Sequence, residues 1–176
     1  MYPDEYIQFL IHFHGDRDYF ECHEILEEYW KNTDKNNKHS LWVGLILMAV
    51  SQYHHRRKNF KGAKRTLGKG LSILEDHEAK LEKLGLDAAR LITDLKERLH
   101  LIHKGGNYTS YYLPIRDPLL QEICLKLCTE HGFSWSNGSN LMDEDLVHRH
   151  KTRDRSMVIK ERLEALEKTK IRKRQE

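Results

Sequence analysis

The chain has 176 residues, 32% of them charged and 39% hydrophobic, with a net charge of +3. That length suits one domain, or one domain with an extension. The charge is too small to imply a nucleic-acid partner, and it is unevenly placed. Residues 149–176 hold eleven Lys/Arg against five Asp/Glu, a surplus of +6 that leaves −3 for the rest. Three cysteines, Cys22, Cys124 and Cys128, form an odd set without a secretory signal, which points to a reducing cytoplasm. The most apolar run, 41–50, is too short to span a bilayer.

A first helix is expected over 4–14, with Tyr6, Phe9, Leu10 and Phe13 as its apolar stripe and Gly15 ending it in the left-handed conformation. A second runs over 18–31. Asp18 caps it, and Glu21 follows three residues later as in a capping box. Residues 32–39 are polar and read as a loop. The third helix, 40–58, is apolar nearly all round, as befits the centre of a bundle. It ends in His54-His55-Arg56-Arg57-Lys58, a run of cations suited to a solvated helix C-terminus. A fourth helix covers 60–84 with Ala63, Leu67, Leu71, Leu74 and Leu81 as its seam, and Gly85 closes it.

Asp87 caps a fifth helix over 88–104, ended by Gly105-Gly106. A tyrosine-rich linker occupies 107–116. Asp117-Pro118 then opens a sixth helix that stops at Gly132, a cap followed by proline at the first helical position. Residues 133–140 read as a loop. Cys124 and Cys128, one turn apart on that sixth helix, read as small buried apolar residues. A last helix, 156–174, carries a thin stripe of Ile159, Leu163 and Leu166 among interleaved charges. No strand is expected. The fold class is all-α, a helical bundle with a central apolar helix surrounded by amphipathic ones. Residues 1–104 form the bundle and 105–176 a helical extension with a basic tail.

The chemistry concentrates in the second helix. His23 and Glu27, four residues apart, lie on one helix face. An imidazole and a carboxylate so placed can hold a divalent metal, hydrogen-bond each other to pin the second helix to the third, or act as acid and base. A third metal ligand is sought in His54 or in Glu24, because catalytic zinc normally takes three protein ligands. Position 27 is Glu rather than His, so this is not the zinc-protease pattern. A mixed nitrogen and oxygen set also suits iron, manganese or nickel. Glu97 and His100 have the spacing used in di-iron bundles, but one copy does not build such a site.

Two blocks carry a family resemblance. The first is Phe20-Glu21, His23, Glu27, then Tyr29 and Trp30. The second is Gly44-Leu45-Ile46, Ala49, His54, then Asn59-Phe60-Lys61-Gly62-Ala63. In this order, over about 13–75, they resemble the bacterial and archaeal family called domain of unknown function 309. Residues from Leu113-Pro114-Ile115 onward look like an extension in Bacillus-type members. The resemblance implies an all-helical fold, no assigned reaction, and a suggested metal-binding role for the His/Glu motif. Val43 and Leu47 stand where many members carry glutamine, which implies a less polar pocket here. The expected site is thus His23, Glu27 and His54 for a divalent metal, with Glu24, Trp30 and Glu21 beside them. The alternative is a non-enzymatic interaction module whose His/Glu site is structural, and whose basic helix, from Ser156 to the final Glu176, docks a protein partner.

Overall fold

The computed structural model describes residues 1–152, and these are all-helical, with one isolated bridge between Leu86 and Ile115 in place of any sheet. The helices are α1 (Asp4–His14), α2 (Tyr19–Thr33), α3 (Leu41–Arg56), α4 (Phe60–Glu75), α5 (Glu78–Lys83), α6 (Ala88–His103), α7 (Pro118–Glu130), α8 (Glu144–Val147) and α9 (Arg149–Thr152). The basic helix expected over 156–174 lies outside the described residues.

Helix starts follow their caps. The Asp18, Asn59, Asp87 and Asp117 side chains each accept a backbone N–H of the first turn, satisfying donors that a helix leaves open. Two expectations need correction. The helix expected over 60–84 breaks at Asp76-His77 into α4 and α5, so that Leu81 can turn into the core. Gly15 has φ −88°, not a left-handed value. It is small because a Cβ there would lie 2.6 Å from the Ile11 carbonyl oxygen and 2.8 Å from Cys128 Sγ. α7 therefore presses directly on the end of α1.

α3 packs against both α2 and α4, which makes it the central helix expected from its composition. Leu45, Met48 and Ala49 are fully buried. Close approach to α4 depends on paired glycines. A Cβ on Gly70 would meet the Gly44 carbonyl oxygen at 3.0 Å, and one on Gly44 would meet Leu74 Cδ2 at 2.8 Å. The core is continuous past position 104, because Tyr111, Leu113, Leu120, Cys124 and Cys128 join the same apolar cluster as α1 to α6. Both cysteines of α7 are buried, as expected, and burial raises their thiol pKa values, that of Cys124 to about 12.

Residues 105–150 wrap the bundle and are gripped by arginines from inside it. Arg17 is fully buried. Its Nη1 donates to the carbonyls of Phe13 (2.8 Å) and Tyr111 (2.6 Å), and its Nε to that of Asn137 (2.8 Å). Arg56 Nη1 donates to the Arg17 carbonyl and to Ser139 Oγ, both at 2.8 Å, and its Nη2 to the Leu146 carbonyl at 3.0 Å. The two guanidiniums also lie over the rings of Tyr112 (4.6 Å) and Tyr19 (4.8 Å). His55 is buried too and meets the Gly106 carbonyl at 2.8 Å. The end of α3 is therefore not the solvated cationic run its composition suggests, because two of its five residues turn inward to hold the wrap.

Two predictions follow from this packing. Arg17→Ala should lower stability in urea denaturation by more than about 3 kcal/mol, since it strands three carbonyls that now accept from a charged donor. The second concerns His14, which is buried and stacked on Trp135 at 4.4 Å. Burial, reinforced by Arg17, lowers its pKa to about 3. The unfolded chain then binds a proton more readily between about pH 6.5 and 3, so this contribution is complete above 6.5 and shrinks as pH falls. His14→Phe should flatten that acid-side loss relative to wild type in thermal denaturation between pH 7 and 4.

Candidate metal centre on α2

α2 owes its position to Tyr19, Cys22 and Leu26, which are buried against α1 and α3. This orientation turns the turn from His23 to Glu27 sideways, partly into solvent. His23, Glu24 and Glu27 each offer one donor atom, and these atoms lie within 4.8 Å of one another. His23 Nδ1 is 3.0 Å from Glu24 Oε1, and Nε2 is 3.7 Å from Glu27 Oε2. Side-chain exposures of 28%, 34% and 35% leave room for water or a further ligand. Lys31 Nζ reaches Glu27 Oε1 at 3.3 Å, one turn farther along. The ring of Phe20 flanks His23 at 6.1 Å.

A neutral imidazole has one N–H and one lone pair. Two carboxylates flank this ring, one near each nitrogen. If Nδ1–H donates to Glu24, the Nε2 lone pair points at the Glu27 carboxylate. Two electron-rich groups then face each other across 3.7 Å. A proton on Nε2 relieves that contact, and so does a metal cation between the two groups. Around zinc, bonds of about 2.0–2.2 Å put neighbouring tetrahedral donors roughly 3.4 Å apart. The observed spacing fits such a cation, and the nitrogen and oxygen donors match the borderline divalent metals.

His54 stands at the end of α3, where its Nδ1 meets Asn59 Nδ2 at 3.1 Å. It does not belong to the donor group on α2. Burial and the neighbouring Arg57 and Arg65 lower its pKa. Glu21 contributes its backbone N–H to the Asp18 cap (3.0 Å), and Trp30 Nε1 donates to the Asn37 carbonyl (3.0 Å), fixing the loop after α2. Neither belongs to the donor group. Among the described residues the polar contacts of His23 are with Glu24 and Glu27 of α2, and none of them reaches α3.

His148 and His150 cover the end of α3. Arg57 Nε donates to His148 Nδ1 at 3.1 Å, and Tyr53 Oη contacts His150 Nδ1. Arg149 pairs with Asp18 at 2.6 Å, so α9 is tied to the start of α2. Spacing did not reveal these contacts, because their partners are about ninety or more residues away in the chain. Because His23 is partly exposed and its polar contacts among the described residues lie on its own helix, His23→Ala should cost less than about 1 kcal/mol of stability in urea denaturation.

Known proteins bear out the family reading. The model of the family described as "Domain of unknown function (DUF309)" matches residues 6–66. The chain is 43% identical over 170 residues to a Bacillus subtilis protein described as "Uncharacterized protein YpuF", covering 97% of this chain and 98% of that one. No solved structure matches the chain significantly.

Proposed function

The chain belongs to the DUF309 family, and we propose that it is a helical metal-binding protein of the cytoplasm whose α2 turn takes a divalent cation. His23 Nε2 and a Glu27 carboxylate oxygen are the ligands, and Glu24 holds the opposite ring nitrogen. Such an outer carboxylate fixes the tautomer and raises the basicity of the ligating nitrogen. The observation that carries this reading is the imidazole flanked on both nitrogens by carboxylates, at 3.0 and 3.7 Å. With two protein ligands, the remaining positions belong to water or to an incoming molecule, so the site favours exchangeable binding over permanent structural metal. His54 would join only from a partner molecule or after movement of α3, because it lies outside the donor group on α2. The alternative, docking of a protein partner through residues 156–176, is supported by the excess of Lys/Arg over Asp/Glu in that segment, seven against four.

The untagged protein, dialysed against zinc or manganese at pH 7.5 and analysed by mass spectrometry, should retain about one equivalent of one of them. His23→Ala should retain none. Glu24→Gln should weaken binding about 10- to 100-fold, the usual cost of losing an outer carboxylate. No retained metal in the wild type, or equal retention in His23→Ala, overturns the proposal.

A further inference from the structure

A cleft of about 500 Å³ lies between α6 and residues 110–112, shares no lining residue with the His23 group, and is lined among others by Arg90, Asp94, Glu97, Arg98, Tyr111 and Tyr112. A volume of that order is typical of small-molecule sites. Its floor is a guanidinium that commits two of its five N–H donors among the described residues. Both hydrogen bonds of Arg98 leave from Nη1, to Gln52 Oε1 at 3.2 Å and to the Thr109 carbonyl at 3.0 Å. Both acceptors are neutral, and among the described residues no carboxylate pairs with Arg98. The other edge, Nε with Nη2, makes no hydrogen bond among the described residues, and neither atom is sealed from solvent. That edge is the planar fork that binds a carboxylate through two parallel bonds. Burial and the nearby Arg17 make the charge costly, which lowers the Arg98 pKa, and an anion on the open edge would offset that cost.

The walls narrow the ligand further. The Tyr112 ring is 46% exposed and fixed in place by its hydroxyl, which donates to the Ser136 carbonyl at 3.0 Å. Arg17 already covers one face of this ring at 4.6 Å. A ring polarised by one cation is a poor host for a second and a better host for a neutral planar group. Tyr111 is buried on the cleft floor, and among the described residues its hydroxyl has no hydrogen-bond partner. At the rim, Asp94 and Glu97 outnumber Arg90, whose Nε is 3.8 Å from Asp94 Oδ2. Those carboxylates repel polyanions, which disfavours nucleic acid and diphosphates and leaves room for a single negative charge at the floor.

We propose that this cleft is a binding site for a small aromatic carboxylate, its carboxylate on the Nε/Nη2 edge of Arg98 and its ring against Tyr112. The probes are benzoate and indole-3-acetate, with benzamide as the neutral match and phenyl phosphate as the dianionic one. Saturation-transfer NMR and calorimetry on the full chain should show saturable binding of at least one carboxylate. Benzamide and phenyl phosphate should bind about tenfold weaker or less, a difference of about 1.4 kcal/mol. Arg98→Gln should remove the preference for carboxylate over amide. Because Arg98 also holds Gln52 and Thr109, that variant could lose its fold, and Tyr112→Ala provides the second reading with about tenfold weaker binding of both carboxylates. Glu97→Gln should tighten binding by weakening repulsion at the rim. Equal affinity for benzoate and benzamide, tighter binding of phenyl phosphate, or no saturable binding of either carboxylate overturns the proposal. None of these outcomes bears on metal retention at His23.

Discussion

Buried guanidinium groups hold this protein together in an unusual currency of contacts. Taking an ion of this kind out of water costs several kcal/mol even after relaxation. Arg17 and Arg56 sit almost wholly inside the fold, and among the described residues no carboxylate pairs with either. The offset comes from carbonyl dipoles and aromatic faces. Each charge-assisted hydrogen bond contributes roughly 1.5–3 kcal/mol, and a desolvated cation over a ring about 2 kcal/mol. Only with all of these contacts in place does the balance become favourable. The bundle and its wrap are thus one cooperative unit, because the acceptors come from residues 111, 137 and 146, and the donors from the α1–α2 connection and α3.

The same arrangement explains Arg17's own backbone. It has φ 60°, a left-handed value costly for a residue with a Cβ. The strain is offset because this conformation turns the side chain inward and presents its carbonyl to Arg56. It also sets Asp18 at the start of α2, and so sets the direction in which His23 and the two glutamates face. The α2 site is therefore positioned by contacts made far from it, while its donor atoms stay within one turn of one helix.

Much of the architecture was legible in the sequence for definable reasons. α1, α2 and α6 have apolar periodicity, α3 is apolar nearly all round, and Asp18, Asp87 and Asp117 mark the starts of α2, α6 and α7 with the expected cap geometry. The break at Asp76-His77 was not legible, because neither residue is a breaker and the seam Leu74 to Leu81 continues in helical phase across it. Buried arginines were missed because charge ordinarily signals solvent. The available signal was the density of tyrosines at 108, 111 and 112, whose rings need a cationic or apolar neighbour. In the site, the i, i+4 spacing correctly brought His23 and Glu27 together. Spacing left His54 and Glu24 both open, and the family resemblance nominated His54, whereas adjacent residues on a helix can meet when a flexible carboxylate curls back, as Glu24 does here.

The grip on the wrap has a further consequence for how such a chain can drift. Arg17 and Arg56 read mostly carbonyl oxygens, and every amino acid carries one. Many side chains between 109 and 146 could therefore change while the clasp persists. Length is another matter. One inserted residue moves every later carbonyl along by up to about 3.5 Å, more than a hydrogen bond's whole length. In this segment spelling is negotiable and counting is not.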